Sequence, residues 1–310
     1  MAGDPKSGTH RGGLVAVAPI EAASGFPTEL TPFHRSGDGS PLVLLHGFTM
    51  SWRAWLPVIP YLSAHHQVFA TTMAGHRGGP KLLEDGQQGA AALADAVCRQ
   101  LDEAGLDTVH VAGNSLGGWT ALELARRGRA RSVVAISPAG CWQSRRDIVS
   151  LLWKFRVGLN AVANDRLRAL LMTPVGRRAW LRRVAQHPEL IPAEDMAAMI
   201  DDVLGCDLIP HLLSSSRTMQ PMEPLDIAQC PVRIAWAEHD RVISFRRFGR
   251  PMQDKIRGGE FIMLPKVGHV PMYDDPRLVA RTILEVTRAV DESARPGIRP
   301  GRARSRRRSA

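Results

Sequence analysis

The chain has 310 residues, of which 44% are hydrophobic and 23% are charged. This balance excludes a wholly disordered or collagen-like chain, and the length fits one large α/β domain with an insertion. The net charge of +10 is concentrated in residues 293–310, which hold seven arginines and no acidic residue, so the body of the chain is not predicted to be a broad nucleic-acid-binding surface.

Residues 1–40 are rich in proline, glycine and polar side chains, and we expect a partly irregular amino-terminal extension there, with at most a short strand at Val15 and Val17. No apolar run reaches the ~18 residues that span a bilayer, so we expect neither a signal peptide nor a transmembrane segment.

The cysteines form no CxxC pair and no metal-ligand spacing, which predicts unpaired thiols in a reducing cytoplasm and no bound metal. They are Cys98, Cys141, Cys206 and Cys230.

From residue 41 onward, short apolar runs alternate with helical patterns. Strands are predicted over 42–45, 68–72, 108–112 and 132–136, and helices over 51–63, 88–104 and 116–127. Ser51 is predicted to be the N-cap of the first of these helices. Strands and helices that alternate at short spacing predict a parallel sheet with helices on both faces.

The alternation stops over 141–225 and resumes with strands at 232–236 and 261–264 and a final helix at 276–291. We therefore predict a core built from residues 41–140 and 226–292, with a helical cap at 141–225. Residues 141–183 carry a net charge of +8, and residues 184–225 carry −6. These charges indicate either solvated helix faces that attract one another or a basic wall over a pocket for an anionic substrate.

The sequence GNSLGG at residues 113–118 is the strongest chemical signal in the chain. It follows an apolar strand and begins an Ala/Leu-rich helix, which is the context in which a G-x-S-x-G turn presents a serine nucleophile. The sharp turn projects the Ser115 hydroxyl outward, while Gly113 and Gly117 avoid clashes with the neighbouring backbone. We therefore predict that Ser115 is a nucleophile beside the positive end of the next helix.

A serine hydroxyl becomes a good nucleophile only when a base takes its proton. Among eleven histidines, His269 lies just after the last predicted strand, at the sheet edge where open α/β sheets hold ligands, and we predict that it is the base. Four other histidines lie near predicted strands and are not chosen as the base. His46 is followed by Gly47, which suggests another role, and His65, His66 and His76 are interpreted as surface or structural residues.

The base needs an acid that fixes its tautomer. Asp240 follows the strand at 232–236 and lies at the same predicted edge, with Glu238 as the alternative. Asp274 and Asp275 are interpreted as N-cap acids of the last helix.

Two backbone N–H groups are needed to hold the oxyanion, and we predict that Phe48 and Leu116 supply them. The Phe48 ring, Trp153 and Trp180 are candidate pocket residues. Packing within the cap is the alternative for the cap side chains, which include Trp153, Phe155, Trp180, Met196 and Met199.

Four short sequences together resemble the α/β-hydrolase superfamily over about residues 40–290: HGF at 46–48, GNSLGG at 113–118, AEHD at 237–240 and GH at 268–269. The resemblance implies a mostly parallel, eight-stranded sheet with helices on both faces and a helical cap inserted after strand six, where residues 141–225 fall. Strands one and two have no clear counterpart here, which predicts a shortened or degenerate amino-terminal edge.

The GNSxGG sequence also resembles the carbon–carbon bond hydrolases of aromatic ring degradation. Those enzymes usually carry Trp directly after the catalytic His, where this chain has Val270, and a glycine-rich oxyanion loop, where this chain has residues 48–50. Haloalkane dehalogenases and epoxide hydrolases of this fold use Asp as the nucleophile, so Ser115 argues against both.

The resulting hypothesis is a serine hydrolase that cleaves a small-molecule carboxylic ester or related acyl compound through an acyl-enzyme, without a metal or organic cofactor. The alternatives are a carbon–carbon bond hydrolase or perhydrolase-like enzyme of the same fold, and a non-catalytic protein that binds a small ligand. Residues 293–310 are predicted to be a disordered tail, with weak, non-specific binding to polyanions as an alternative to a purely solubilising role. The sequence predicts no oligomeric state.

Overall fold

The apolar runs of the chain form the strands of a central sheet in the computed structural model, which describes residues 30–82, 89–215, 219–226 and 230–294. In this part of the chain the sheet has seven strands in the order β1-β3-β2-β4-β5-β7-β9. They are β1 (Phe33–Ser36), β2 (Ser40–Leu45), β3 (His66–Thr71), β4 (Val109–Asn114), β5 (Ala130–Ile136), β7 (Val232–Ala237) and β9 (Glu260–Leu264). The short strands β6 (Leu225–Asp226) and β8 (Ile256–Arg257) pair with each other.

Strand β1 runs antiparallel to β3 at one edge of the sheet, and the other neighbouring strands run parallel. Strand β2 lies near the centre, where Leu42 pairs with Val68 on one side and with His110 on the other. Parallel strands direct their carboxyl ends to one edge, so the loops after β2, β4, β7 and β9 open on the same side of the molecule.

Helices connect the strands, and their bounds are α1 (Ile59–Ser63), α2 (Ala90–Glu103), α3 (Leu116–Arg126), α4 (Arg145–Ala163), α5 (Asp165–Leu171), α6 (Pro174–Leu181), α7 (Ala193–Leu204), α8 (Leu208–Ser215), α9 (Arg250–Lys255), α10 (Pro271–Asp274) and α11 (Pro276–Ala294). Helices α4 to α8 all lie between β5 and β6 in the chain, within the range predicted to be a helical cap. None of the described helices is long and apolar enough to cross a membrane.

Both faces of β2 are buried, as its continuous apolar run predicts. Leu42 and Leu44 share an apolar cluster with side chains of α1 and α11, whereas Val43 and Leu45 share another with side chains of α2 and α3. The sheet is therefore covered on both sides, and the predicted α/β class with a mostly parallel sheet is confirmed.

Three details differ from the sequence-based expectation. The described part of the sheet has seven strands, where the resemblance implies eight, and residues 1–29 lie outside the described part of the chain. Residues 51–63 form a 3₁₀-helix (Trp52–Trp55) followed by α1, and not one helix. Proline at positions 57 and 60 explains this break, since its ring lacks the N–H that continues a helix.

The last helix continues to Ala294, so residues 293 and 294 belong to α11 and not to the predicted tail. The rest of that tail, residues 295–310, lies outside the described residues, as do Val15 and Val17.

Candidate active site

The predicted nucleophile lies at the sharp turn between β4 and α3. Ser115 has a φ of 56° and a ψ of −115°, a strained conformation for a residue with a side chain, and its amide donates to the carbonyl oxygen of Ile136 at 2.9 Å. A Cβ at Gly113 would overlap the carbonyl oxygen of Gly117, and a Cβ at Gly117 would overlap that of Leu45. Glycine at these two positions therefore lets the turn and α3 pack against the sheet.

Asp240 and His269 lie side by side in the loops that follow β7 and β9. His269 Nδ1 is 2.7 Å from Asp240 Oδ2, and both residues are more than nine-tenths buried. Asp240 Oδ1 accepts two further hydrogen bonds from amides of its own loop, at 2.8 and 2.9 Å. Since Nδ1 donates to the carboxylate, Nε2 is the unprotonated nitrogen of the neutral imidazole.

Glu238, the alternative acid, is exposed and accepts a hydrogen bond from the amide of Lys266 at 2.8 Å. The structure thus pairs His269 with Asp240 and directs Glu238 to a different group.

Asn114 links the serine turn to the histidine loop. Its Nδ2 donates to the carbonyl oxygen of His269 at 2.9 Å and to that of Ile136 at 3.2 Å. Because Asn114 directly precedes Ser115, these bonds hold the backbone of the histidine next to the serine turn. The sequence around Asn114 gives no sign of these two hydrogen bonds.

The loop after β2 packs against Ser115. A Cβ added at Gly47 would lie 3.6 Å from the Cβ of Ser115, and Thr49 adopts a φ of 66°. Leu116 is the first residue of α3, where backbone N–H groups have no acceptor within the helix. Both predicted oxyanion donors, Phe48 and Leu116, therefore lie in backbone that borders the serine.

A cavity with about 660 Å³ of empty space, partly open to solvent, is lined by Ser115 and by side chains from α3, α4 and the loops after β2, β5 and β7. The described lining is almost entirely apolar and contains no lysine or arginine. The expectation of a basic wall therefore does not apply to this cavity. Its aromatic lining residues are Phe48, Trp119, Trp142, Phe155 and Phe248.

The structure does not bring two of the predicted pocket residues to this cavity. Trp153 is 65% exposed and Trp180 is 46% exposed, and neither lines the cavity. Helix α4 presents Leu152 and Phe155 to the cavity, and Trp153 lies on another side because successive residues of a helix are about 100° apart. The candidate cap residues Met196 and Met199 also lie away from the cavity. They pack in an apolar cluster with Leu171 and Ile200.

Two buried histidines support the loop after β2. His46 Nε2 accepts a hydrogen bond from the amide of Met73 at 2.9 Å, and the His76 ring lies edge-to-face against the His46 ring, with 4.7 Å between centroids. Burial holds the pKa of His46 well below its usual value of 6.5 and lowers the pKa of His76 to about 4. Both rings are therefore neutral at pH 7, which fits a structural role.

The family to which these elements belong is decided by a comparison of the whole sequence. Residues 42–282 match the model of the alpha/beta hydrolase family. The chain belongs to this family. The hydrolase is 36% identical over 197 residues to Epoxide hydrolase EphH of Mycobacterium tuberculosis, a match that covers 62% of this chain and 92% of that protein.

Solved structures of lower identity show the same fold. A membrane phospholipase A described as a bacterial virulence factor superposes with a TM-score of 0.66 at 20% identity, covering 84% of this chain and 82% of that one. A thermophilic esterase from Thermogutta terrifontis superposes with a TM-score of 0.62 at 20% identity, covering 83% and 93%.

The carboxylate of Asp274 holds the loop of the hydrolase that carries His269. Its carboxylate accepts hydrogen bonds from the amides of Gly268 at 2.7 Å, Gln186 at 2.8 Å and His187 at 2.8 Å. The predicted N-cap role is therefore wrong for Asp274, whereas Asp275 does cap α11 by accepting from the amide of Leu278 at 2.8 Å.

Within the described ranges, the hydrolase has no group of three or more His, Cys, Asp or Glu side chains placed to hold a metal ion. The four cysteines are free thiols, and burial raises the pKa of Cys141 to about 12 and those of Cys206 and Cys230 to about 11. These thiols are poor nucleophiles at neutral pH.

Proposed function

We propose that this hydrolase cleaves a carboxylic ester or a related acyl compound, with Ser115 as its nucleophile. The observation that carries the proposal is the strained turn of Ser115, which Asn114 ties to a buried Asp240–His269 pair. Acyl transfer requires an activated serine and a base with a fixed tautomer, and the Asn114 bond holds the backbone of that base next to the serine turn.

In the proposed reaction, His269 Nε2 takes the proton of the Ser115 hydroxyl as its oxygen attacks the carbonyl carbon. The N–H groups of Phe48 and Leu116 hold the oxyanion, and each such donor contributes roughly 2.7–4 kcal/mol in the transition state. The C–O bond to the alcohol then breaks, and His269 returns the proton to the leaving oxygen. Water activated by His269 adds to the acyl-enzyme and releases the acid, while Asp240 stabilises the imidazolium.

The similarity to an epoxide hydrolase raises ring opening of an epoxide as a competing reaction. Attack by Ser115 on an epoxide carbon would leave an ether on the serine. That ether has no carbonyl carbon to which water can add, so the enzyme would be trapped after one turnover. The residue type at position 115 therefore favours acyl transfer.

A fluorophosphonate probe tests the proposal, because it modifies activated serines covalently. We expect labelling of the wild type, and no labelling of Ser115→Ala. Ser150→Ala, which changes an exposed serine on α4, is the matched control and should be labelled like the wild type. Equal labelling of wild type and Ser115→Ala, or turnover of styrene oxide without turnover of any p-nitrophenyl ester, would contradict the proposal.

We further propose that residues 41–140 and 226–292 form the catalytic core, that residues 141–225 form its cap, and that the protein works in the cytoplasm. The free state of all four cysteines supports a reducing compartment.

A further inference from the structure

The cavity at Ser115 has a lining that discriminates among substrates by charge. Apart from the Ser115 hydroxyl and the indole N–H groups of Trp119 and Trp142, the described side chains that line it carry only hydrocarbon or thioether groups. A carboxylate placed against these described side chains would lose its water and gain no cation from them, which is strongly unfavourable. A hydrocarbon group of the same size would instead gain from burial.

The lining is also rich in aromatic rings. The chain has only seven Trp, eight Phe and two Tyr residues, yet five of these aromatic residues line this one cavity. Phe48 and Phe155 meet edge-to-face with 4.9 Å between ring centroids, and Trp119 and Trp142 meet edge-to-face at 5.7 Å. Rings arranged in this way offer both faces and edges to a further aromatic group.

The cavity borders the position of the reacting carbonyl. Phe48 and Leu116 are the two proposed oxyanion donors, and the side chains of both line the cavity. A group bonded to the carbonyl carbon that Ser115 attacks therefore lies close to these side chains.

We propose that the site takes uncharged esters whose acyl group is an arylalkyl or a comparably bulky hydrocarbon, and that it rejects acyl groups that carry a carboxylate. This inference rests on the proposed function. It narrows the substrate to one chemical class.

Helix α4 supplies matched positions for a test. Ile148, Leu151 and Phe155 recur at helical spacing and line the cavity, whereas Val149 on the same helix is 57% exposed and does not. Leu151→Lys introduces a cation at the partly buried rim of the cavity. Val149→Lys introduces the same charge on the solvent side.

The experiment compares p-nitrophenyl esters that share one leaving group: acetate, hexanoate, 3-phenylpropanoate and the monoester of glutaric acid. For the wild type we expect kcat/KM for 3-phenylpropanoate to exceed that for acetate by about 100-fold, since burial of apolar area is the driving term. The glutarate monoester should fall at least tenfold below hexanoate. Leu151→Lys should reduce the hexanoate-to-glutarate ratio about tenfold, and Val149→Lys should leave it within about twofold.

Equal kcat/KM values for the uncharged esters, or a glutarate monoester that reacts as well as hexanoate, would overturn the inference. The proposed function would still hold if a fluorophosphonate labels Ser115. Loss of that labelling would overturn the proposed function and this inference together. The wild-type series decides the question even if Leu151→Lys fails to fold, and thermal unfolding of both lysine variants identifies that case.

Discussion

At the residue scale, Asn114 couples two parts of the site that are 155 positions apart in the chain. We expect Asn114→Asp to lower kcat for ester turnover about 10- to 100-fold at pH 8 with little change in KM. A carboxylate in place of the amide repels the carbonyl oxygens of Ile136 and His269, which the wild-type Nδ2 holds by donation.

The pH dependence of this variant separates hydrogen bonding from simple loss of packing. A protonated Asp side chain regains one donor, so the ratio of variant to wild-type kcat should rise as the pH falls. A ratio that stays constant between pH 5 and pH 8 would contradict the donor role.

Sequence reasoning predicted some residues of this site better than others. It singled out Ser115, Asp240 and His269 because each lies in a short local pattern at the end of a predicted strand. Asn114 was not predicted and Asp274 was given the wrong role, because their partners are distant in the chain and no local pattern marks a hydrogen bond to a remote backbone group.

At the element scale, residues 184–186, which follow α6, contact the loop at residues 268–270 that carries His269. The amide of Val270 donates to the carbonyl oxygen of Val184 at 2.9 Å, and Asp274 joins Gly268 to Gln186. A Cβ at Gly268 would lie 2.9 Å from the backbone of Ala185, so this contact leaves no room for a side chain.

Substitution at Asp274 should therefore reduce both stability and activity. Asp274→Ala leaves three backbone N–H groups without their acceptor, and we expect a loss of about 2 kcal/mol or more in the free energy of unfolding with at least a tenfold loss in kcat. Denaturant unfolding and ester turnover measure the two effects.

The neighbouring Asp275 provides the matched control. Asp275→Ala removes only the N-cap of α11, which should cost about 1 kcal/mol of stability and leave kcat within about twofold of the wild type. Equal loss of kcat in both variants would contradict a specific role of Asp274 in holding the loop that carries His269.

Most helices and strands could be predicted from the sequence, and the segment that begins at Ser51 is an exception. Long apolar runs located β2, β4 and β7 because burial on both faces leaves a continuous pattern. Ser51 was predicted to cap a helix, yet its hydroxyl donates to Asp202 Oδ2 at 2.6 Å, and the same carboxylate group pairs with Arg53. This buried ion pair joins α7 to the loop after β2, and the sequence near Ser51 gives no sign of a partner on α7.

At the scale of the whole molecule, most of the excess charge lies beyond Ala294. We expect removal of residues 295–310 to leave ester turnover unchanged and to abolish retention on heparin, because seven arginines are lost. The cut has to spare Asp291, which accepts hydrogen bonds from His110 and Arg131 at 3.0 Å. Retention that survives the truncation would assign heparin binding to the body of the hydrolase.

Acid stability is the second property of the whole molecule, because several histidines are buried in the neutral form. Desolvation by burial lowers the pKa values of His46, His66, His76 and His110, and it outweighs the hydrogen bonds that raise them. Below pH 6.5 the unfolded chain binds protons at these positions more readily than the folded protein does, so these four histidines lower the free energy of unfolding as the pH falls.

His76 gives the clearest test, since its pKa in the folded protein is about 4 and its Nε2 has no hydrogen-bond partner among the described residues. A shift of this size corresponds to roughly 3 kcal/mol that is present above pH 6.5 and is lost progressively as the pH falls towards 4. His76→Phe removes this titration, so its free energy of unfolding should decline less between pH 7 and pH 4 than that of the wild type. Urea unfolding at each pH measures the two slopes. Identical slopes for wild type and His76→Phe would show that the ring at position 76 does not resist protonation in the folded protein.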